Sequence, residues 1–142
     1  MSRLRSIKKS YLIAFAIVLC GILAIIVILT RLSEAAHEPA VLFVTSSEAN
    51  EKINEHQGAF ILDVRSNEEF LARRIPGAVN IPYLIIGANQ DLLPEDKQAL
   101  IFVYCRTGRR AAIAANALLG LGYTNIIVFP GMISWVYETD SG

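Results

Sequence analysis

The chain reads as an α/β protein: a mainly parallel sheet with helices on both faces, preceded by one transmembrane helix. Three observations predict it. Strand-like and helix-like segments alternate along most of its 142 residues, the pattern of parallel strands joined by crossovers. Leu100 to Tyr104 is an unbroken apolar run, as in a strand covered on both faces. Tyr11 to Thr30 contains no charged residue, and about 20 apolar residues suffice to cross a bilayer as a helix.

The elements follow in order. Residues 1–10 form a basic N-terminus with Arg3, Arg5, Lys8 and Lys9, and residues 11–30 the membrane helix, where Cys20 and Gly21 are acceptable. Residues 31–40 are a polar linker and 41–142 the folded domain, an ordinary size for one. Val41 to Val44 is the first strand. Thr45-Ser46-Ser47, with Glu48 in the first turn, opens a helix toward His56 that Gly58 breaks. Ala59 to Val64 is the second strand. Ser66 with Glu69 three residues on makes a capping box for a short helix to about Arg73. Pro76-Gly77 is a turn, Ala78 to Ile81 a short strand, Tyr83 to Leu92 a further helix, and Pro94-Glu95-Asp96 another turn. After the strand ending at Tyr104, the alanines from Ala111 open a helix to Leu119, because alanine is the best helix former. Gly120-Leu121-Gly122 stops it, and its small residues let it sit close on the sheet. Asn125 to Phe129 is the last strand, Pro130-Gly131 a turn, and a final short helix carries Trp135.

Charge sets the placement. Four basic residues precede the apolar span, and only Arg31 follows it closely, before Glu34 and Glu38. The basic side stays in the cytoplasm, so the domain falls on the extracytoplasmic side. Two rivals stay open: a cleaved signal peptide, for which Ser33-Glu34-Ala35 offers small residues, and the inverted topology. The apolar run exceeds the roughly 7–15 residues of a signal peptide, which favours an uncleaved anchor. From Arg31 onward there are nine basic and thirteen acidic residues, a formal net −4, which argues against nucleic-acid binding. His37 and His56 are isolated, so no metal is expected, and no cofactor is called for. Cys20 and Cys105 lie in separate segments and do not pair. No Cys-x-x-Cys occurs, which excludes a thioredoxin-like dithiol.

Cys105 begins a loop, Cys105-Arg106-Thr107-Gly108-Arg109-Arg110, set between a buried strand and a helix. Unpaired N–H groups at a helix N-terminus favour negative charge, and three arginines add to that field. The arrangement favours the thiolate, which is the nucleophile. A merely structural buried cysteine would be followed by apolar neighbours. A Cys-x5-Arg loop would point to a cysteine phosphatase, but here the sixth residue after Cys105 is Ala111. The shorter cradle suits a single sulfur atom better than a tetrahedral oxyanion.

Four segments in order resemble the rhodanese-like domain family, over about 100 residues from near Val41 to the C-terminus. They are Ile61-Leu62-Asp63-Val64-Arg65 with Glu68-Glu69-Phe70, then Ile75-Pro76-Gly77-Ala78-Val79-Asn80-Ile81-Pro82. The others are the Cys105 loop with its helix and Leu121-Gly122-Tyr123, and Phe129-Pro130-Gly131-Met132-Ile133-Ser134-Trp135. The resemblance implies a sulfurtransferase. It would take a sulfane sulfur from a donor such as thiosulfate, hold it as a persulfide on Cys105, and pass it to a thiol or cyanide. It further implies that Arg106, Thr107, Gly108, Arg109 and Arg110 form the persulfide cradle, and that Asp63 and Arg65 support the loop. From the residues alone, Asp63 and Arg65 read as a structural ion pair, and Trp135 and Tyr137 as packing. Arg109 is the loop arginine expected to face solvent. The chain departs from the family pattern at Arg73-Arg74, where Gly-His is common, at Pro130-Gly131, where Gly-Gly is common, and at Ala111, where serine is common. The expected function is a membrane-anchored sulfurtransferase whose partners are the small sulfur donor and acceptor and, through residues 11–30, the bilayer. The alternative is a sulfur-carrier or sensing module without turnover.

Overall fold

A computed structural model of the chain describes Phe15, residues 17–29 and residues 40–142. The chain divides into two units, residues 1–38 and 39–142. In the first, residues 17–29 are helical and exposed throughout. Among the described residues no helix is long and apolar enough to cross a membrane. The remainder of the expected 11–30 span, the basic N-terminus over 1–10, and the linker up to residue 39, including His37 and Ser33-Glu34-Ala35, lie outside the described residues.

The second unit contains β1 (Ala40–Phe43), α1 (Ser46–Glu55), β2 (Phe60–Asp63), α2 (Asn67–Ala72), β3 (Val79–Asn80), β4 (Ile101–Tyr104), α3 (Arg109–Gly120) and β5 (Asn125–Phe129). Its sheet runs β1-β5-β4-β2-β3, and every described strand pair is parallel. Alternation along β4 divides the core in two. Ile101, Val103 and Cys105 pack with Ala111, Ala114, Ala115 and Leu118 of α3. Phe102 and Tyr104 pack with Ala49 of α1, Ile75 and Trp135. The sheet is thus covered on both faces, which is why β4 is apolar at every position. Three of the four alanines of α3 that face the sheet side of the sequence pattern, Ala111, Ala114 and Ala115, are buried.

The predicted Ser66 capping box forms, and the N-cap expected within Thr45-Ser46-Ser47 proves to be a second one. Thr45 caps α1 with Glu48, and Ser66 caps α2 with Glu69. Two predicted helices do not form. Tyr83 to Leu92 folds as two 3-10 turns, Ile86–Ala88 and Gln90–Leu92. There the Asn89 side-chain amide donates to the Ile85 carbonyl at 2.8 Å and that of Gln90 to the Gly87 carbonyl at 2.9 Å, so side chains take acceptors that a helix would use. In the segment carrying Trp135, residues 132–134 form a turn and Trp135 itself is irregular. The Arg73 guanidinium donates to the Trp135 carbonyl at 2.9 Å, and the Trp135 indole donates to the Glu138 carbonyl at 3.0 Å. Trp135 is buried beside Phe129 with ring centroids 5.7 Å apart, in a packing role. Helix α3 begins two residues earlier than expected, at Arg109.

Candidate active site

Cys105 directly follows β4, the central strand of the sheet, at the strands' carboxyl end, where open α/β sheets bind ligands. Only 1% of the residue is exposed. The chain then turns sharply, with Gly108 in the left-handed region at φ +92° as the N-cap of α3, a conformation that glycine adopts without steric cost. This turn aims the Gly108 N–H at the sulfur, 3.1 Å from Sγ. The thiol therefore sits at the N-terminus of a twelve-residue helix and its sulfur accepts a backbone hydrogen bond.

The loop is closed from the other side by the segment after β5. Met132 N–H donates to the Cys105 carbonyl and Ile133 N–H to the Arg106 carbonyl, each at 3.1 Å. Gly131 makes this approach possible. Its φ is +71°, and a Cβ there would meet the Cys105 carbonyl oxygen at 2.5 Å and the Tyr104 ring at 2.7 Å.

The three loop arginines part company. Arg106 and Arg109 are exposed, as is Thr107. Arg110 is half-buried and makes a bidentate pair with Glu69, Nη1 to Oε2 at 2.6 Å and Nη2 to Oε1 at 2.9 Å. The Glu69 pair raises the Arg110 pKa above its ordinary value against the effect of burial, and the Cys105 sulfur contributes in the same direction. Arg110 thus links the nucleophile to α2. Glu69 also completes the Ser66 capping box, accepting from the Ser66 N–H at 3.2 Å. The sequence marks Glu69 as a helix cap; its second duty, to a residue 41 positions away, leaves no local signal.

Asp63 and Arg65 form a buried ion pair, with Arg65 Nε 3.0 Å from both carboxylate oxygens. Arg65 also donates to the Arg73 carbonyl at 2.6 Å, and its guanidinium lies 5.6 Å from the Tyr104 ring centroid. Asp63 pairs in register with Tyr104, the residue before Cys105. The pair therefore braces the strand end beside the nucleophile and its bonds are internal. The Tyr104 hydroxyl accepts the Ile75 N–H at 3.1 Å, and burial first of all raises its pKa. His56 is exposed, with its ring 2.9 Å from the Lys52 carbonyl, at the end of α1 that leads into β2. Among the described residues no group of three His, Cys, Asp or Glu side chains is placed to hold a metal.

Arg110 holds the Glu69 carboxyl down to about 2, from an ordinary 4.5, chiefly through these hydrogen bonds. An acid depressed by folding stabilises the native state above its unfolded value and loses that effect as pH falls through the folded value. The stability advantage of the native protein over Glu69→Gln is therefore expected to be full above pH 4.5 and to fade toward pH 2. Urea midpoints across that range check it; a pH-independent difference would remove the ion pair as its source.

Residues 45–138 match the sequence model of the Rhodanese-like domain. Two curated proteins of Bacillus subtilis are similar. YrkF, provisionally named a sulfur carrier protein, is 34% identical over 63% of this chain and 48% of its own length. YtwF, provisionally named a sulfurtransferase, is 31% identical over 68% of this chain and 91% of its own. The chain thus spans about half the length of YrkF. Among solved structures, a rhodanese-like domain protein from Staphylococcus aureus superposes with a TM-score of 0.63 at 27% identity, covering 71% of this chain and 98% of that one.

Proposed function

This chain belongs to the rhodanese-like domain family, and on that premise we propose that it is a sulfurtransferase working through a persulfide on Cys105. A sulfane sulfur would come from a donor such as thiosulfate and pass to a thiol or cyanide. The observation that carries this reading is the Cys105 sulfur itself: at the carboxyl end of the central strand, accepting the Gly108 N–H at 3.1 Å, beside the Arg110 guanidinium. In the first half-reaction the thiolate attacks the outer sulfur of thiosulfate. The new bond joins Sγ to that sulfur, the old S–S bond breaks, and its electron pair leaves with sulfite. In the second, the acceptor attacks the bound sulfur, and the pair of the Sγ–S bond returns to Cys105. No external oxidant is consumed. Both half-reactions bring anions to an anionic site, and the helix terminus with Arg106 and Arg110 offsets that repulsion. Mass spectrometry of the protein after thiosulfate treatment is expected to show a gain of about 32 Da on the Cys105 peptide, removed by cyanide. An unmodified Cys105 would overturn the reading. The relatives named for sulfur transfer and sulfur carriage support it.

We further propose that residues 11–30 anchor the chain in a membrane with the domain on the extracytoplasmic side. The support is the charge-free run of about 20 residues and the basic cluster ahead of it. A membrane-impermeant thiol reagent that reacts with the released domain is expected to label Cys105 in intact cells as well. Labelling only after lysis would place the domain in the cytoplasm.

A further inference from the structure

Beside the active loop lies a cavity of about 280 Å³, lined by Arg65, Glu69, Ala72, Arg73, Arg106 and Met132. It adjoins the nucleophile through Arg106, the next residue in the chain, and through Glu69, whose partner Arg110 stands in the first turn of the helix behind the Cys105 loop. Its volume lies near the lower end, about 300 Å³, of cavities that take small organic ligands. An inorganic sulfur donor or cyanide would leave most of it empty.

Its charges are unevenly matched. Arg65 is neutralised by Asp63. Both Glu69 oxygens accept from Arg110, and Oε2 also from the Ser66 N–H, so this carboxylate is covered. Arg73 and Arg106 have no acidic partner among the described residues. Arg73 gives one hydrogen bond, to the Trp135 carbonyl at 2.9 Å, out of the five donors of a guanidinium. That bond holds its head group against the segment containing Met132. The cavity thus has two unpaired guanidinium groups and an apolar wall of Ala72 and Met132.

We propose that this cavity is a subsite for the carboxylate of a small organic acceptor thiol, and that Arg73 and Arg106 set the preference for it. A planar fork of N–H donors matches a carboxylate, while Ala72 and Met132 suit a short carbon chain. The inference rests on the persulfide reading above. With the carboxylate held there, the acceptor's sulfur attacks the outer sulfur of the Cys105 persulfide. A bond forms between those two sulfurs, the bond to Sγ breaks with its pair left on Sγ, and the acceptor thiol's proton passes to Sγ or to water.

The test compares two acceptors of matched length, 3-mercaptopropionate and its neutral amide, with the full chain loaded from thiosulfate. The ratio of their kcat/KM values is measured for the native protein, Arg73→Ala and Arg73→Lys. Comparing each ratio with the native one cancels the intrinsic nucleophilicity of the two thiols. The Ala variant is expected to lower the ratio about tenfold, largely through KM for the carboxylate, and the Lys variant to recover part of it. An unchanged ratio in Arg73→Ala, with the 32 Da adduct still forming on Cys105, would overturn the subsite and leave the persulfide reading standing. Absence of the adduct in the native protein would overturn both.

Discussion

Cys105→Ser is expected to lower thiosulfate-dependent thiocyanate formation at least a thousandfold, about 4 kcal/mol of lost transition-state stabilisation. Oxygen at that position is not ionised at working pH and cannot carry a sulfane sulfur. The fold is expected to survive, because the site offers the hydroxyl what it offers the thiol. The Gly108 N–H, 3.1 Å from Sγ, can donate to Oγ, so the buried oxygen keeps a hydrogen-bond partner. Steady-state thiocyanate release together with thermal unfolding separates the two effects. Residual activity near the native level in a well-folded serine variant would place the chemistry elsewhere.

Gly131→Ala is expected to damage both fold and activity. Two costs add at this residue. An alanine at φ +71° pays the left-handed penalty, about 1–2 kcal/mol. Its Cβ also overlaps the Cys105 carbonyl oxygen at 2.5 Å and Tyr104 Cβ at 2.9 Å. Backbone and buried ring have little room to yield, and such overpacking costs about 1–3 kcal/mol. For a domain of this size the sum corresponds to a fall in Tm of about 10 °C or more. The same displacement strains the hydrogen bonds from Met132 and Ile133 that hold the loop, so sulfur transfer falls at temperatures where the protein is still folded. Gly77→Ala isolates the backbone component, since Gly77 has φ +74° and nothing within 4 Å of its added Cβ. Calorimetry of both variants decides it: equal falls in Tm would mean that the close approach at Gly131 contributes nothing.

The strands and helix caps were legible because their signals are local. Thr45 and Ser66 stand at fixed offsets from Glu48 and Glu69, and both boxes form. The unbroken apolar run into Cys105 announced a doubly covered strand, and the alanines after it a helix close to the sheet. Arg109 faces solvent as its register implied. Tyr83 to Leu92 differs because the side-chain amides of Asn89 and Gln90 compete for carbonyls three or four residues back along the chain. The Trp135 segment failed for a distant reason: Arg73, 62 positions earlier, takes its carbonyl. The partner of Arg110 was hidden for the same reason. Asp63 binds Arg65, the ion pair that the residues alone suggest, and it is Glu69 that holds Arg110. Pairings between α2 and the loops are products of the tertiary fold, and no period in the sequence encodes them.

The strand order carries a consequence for how the chain is made. Among the described strands β1, the first in chain order, pairs with β5, the last. The segment that shuts over the nucleophile follows β5 in turn. Domains tend to fold as units during synthesis, and here the unit is not complete until its final strand is available. Until β5 is made, β1 is a strand with Leu42 and Phe43 unpaired along its length. A chain halted before Asn125 cannot close its sheet, so β1 of such a partial product has no strand beside it. Quality control that recognises exposed apolar strands would meet such products as substrates, while the finished domain offers it a sheet with β1 already in place.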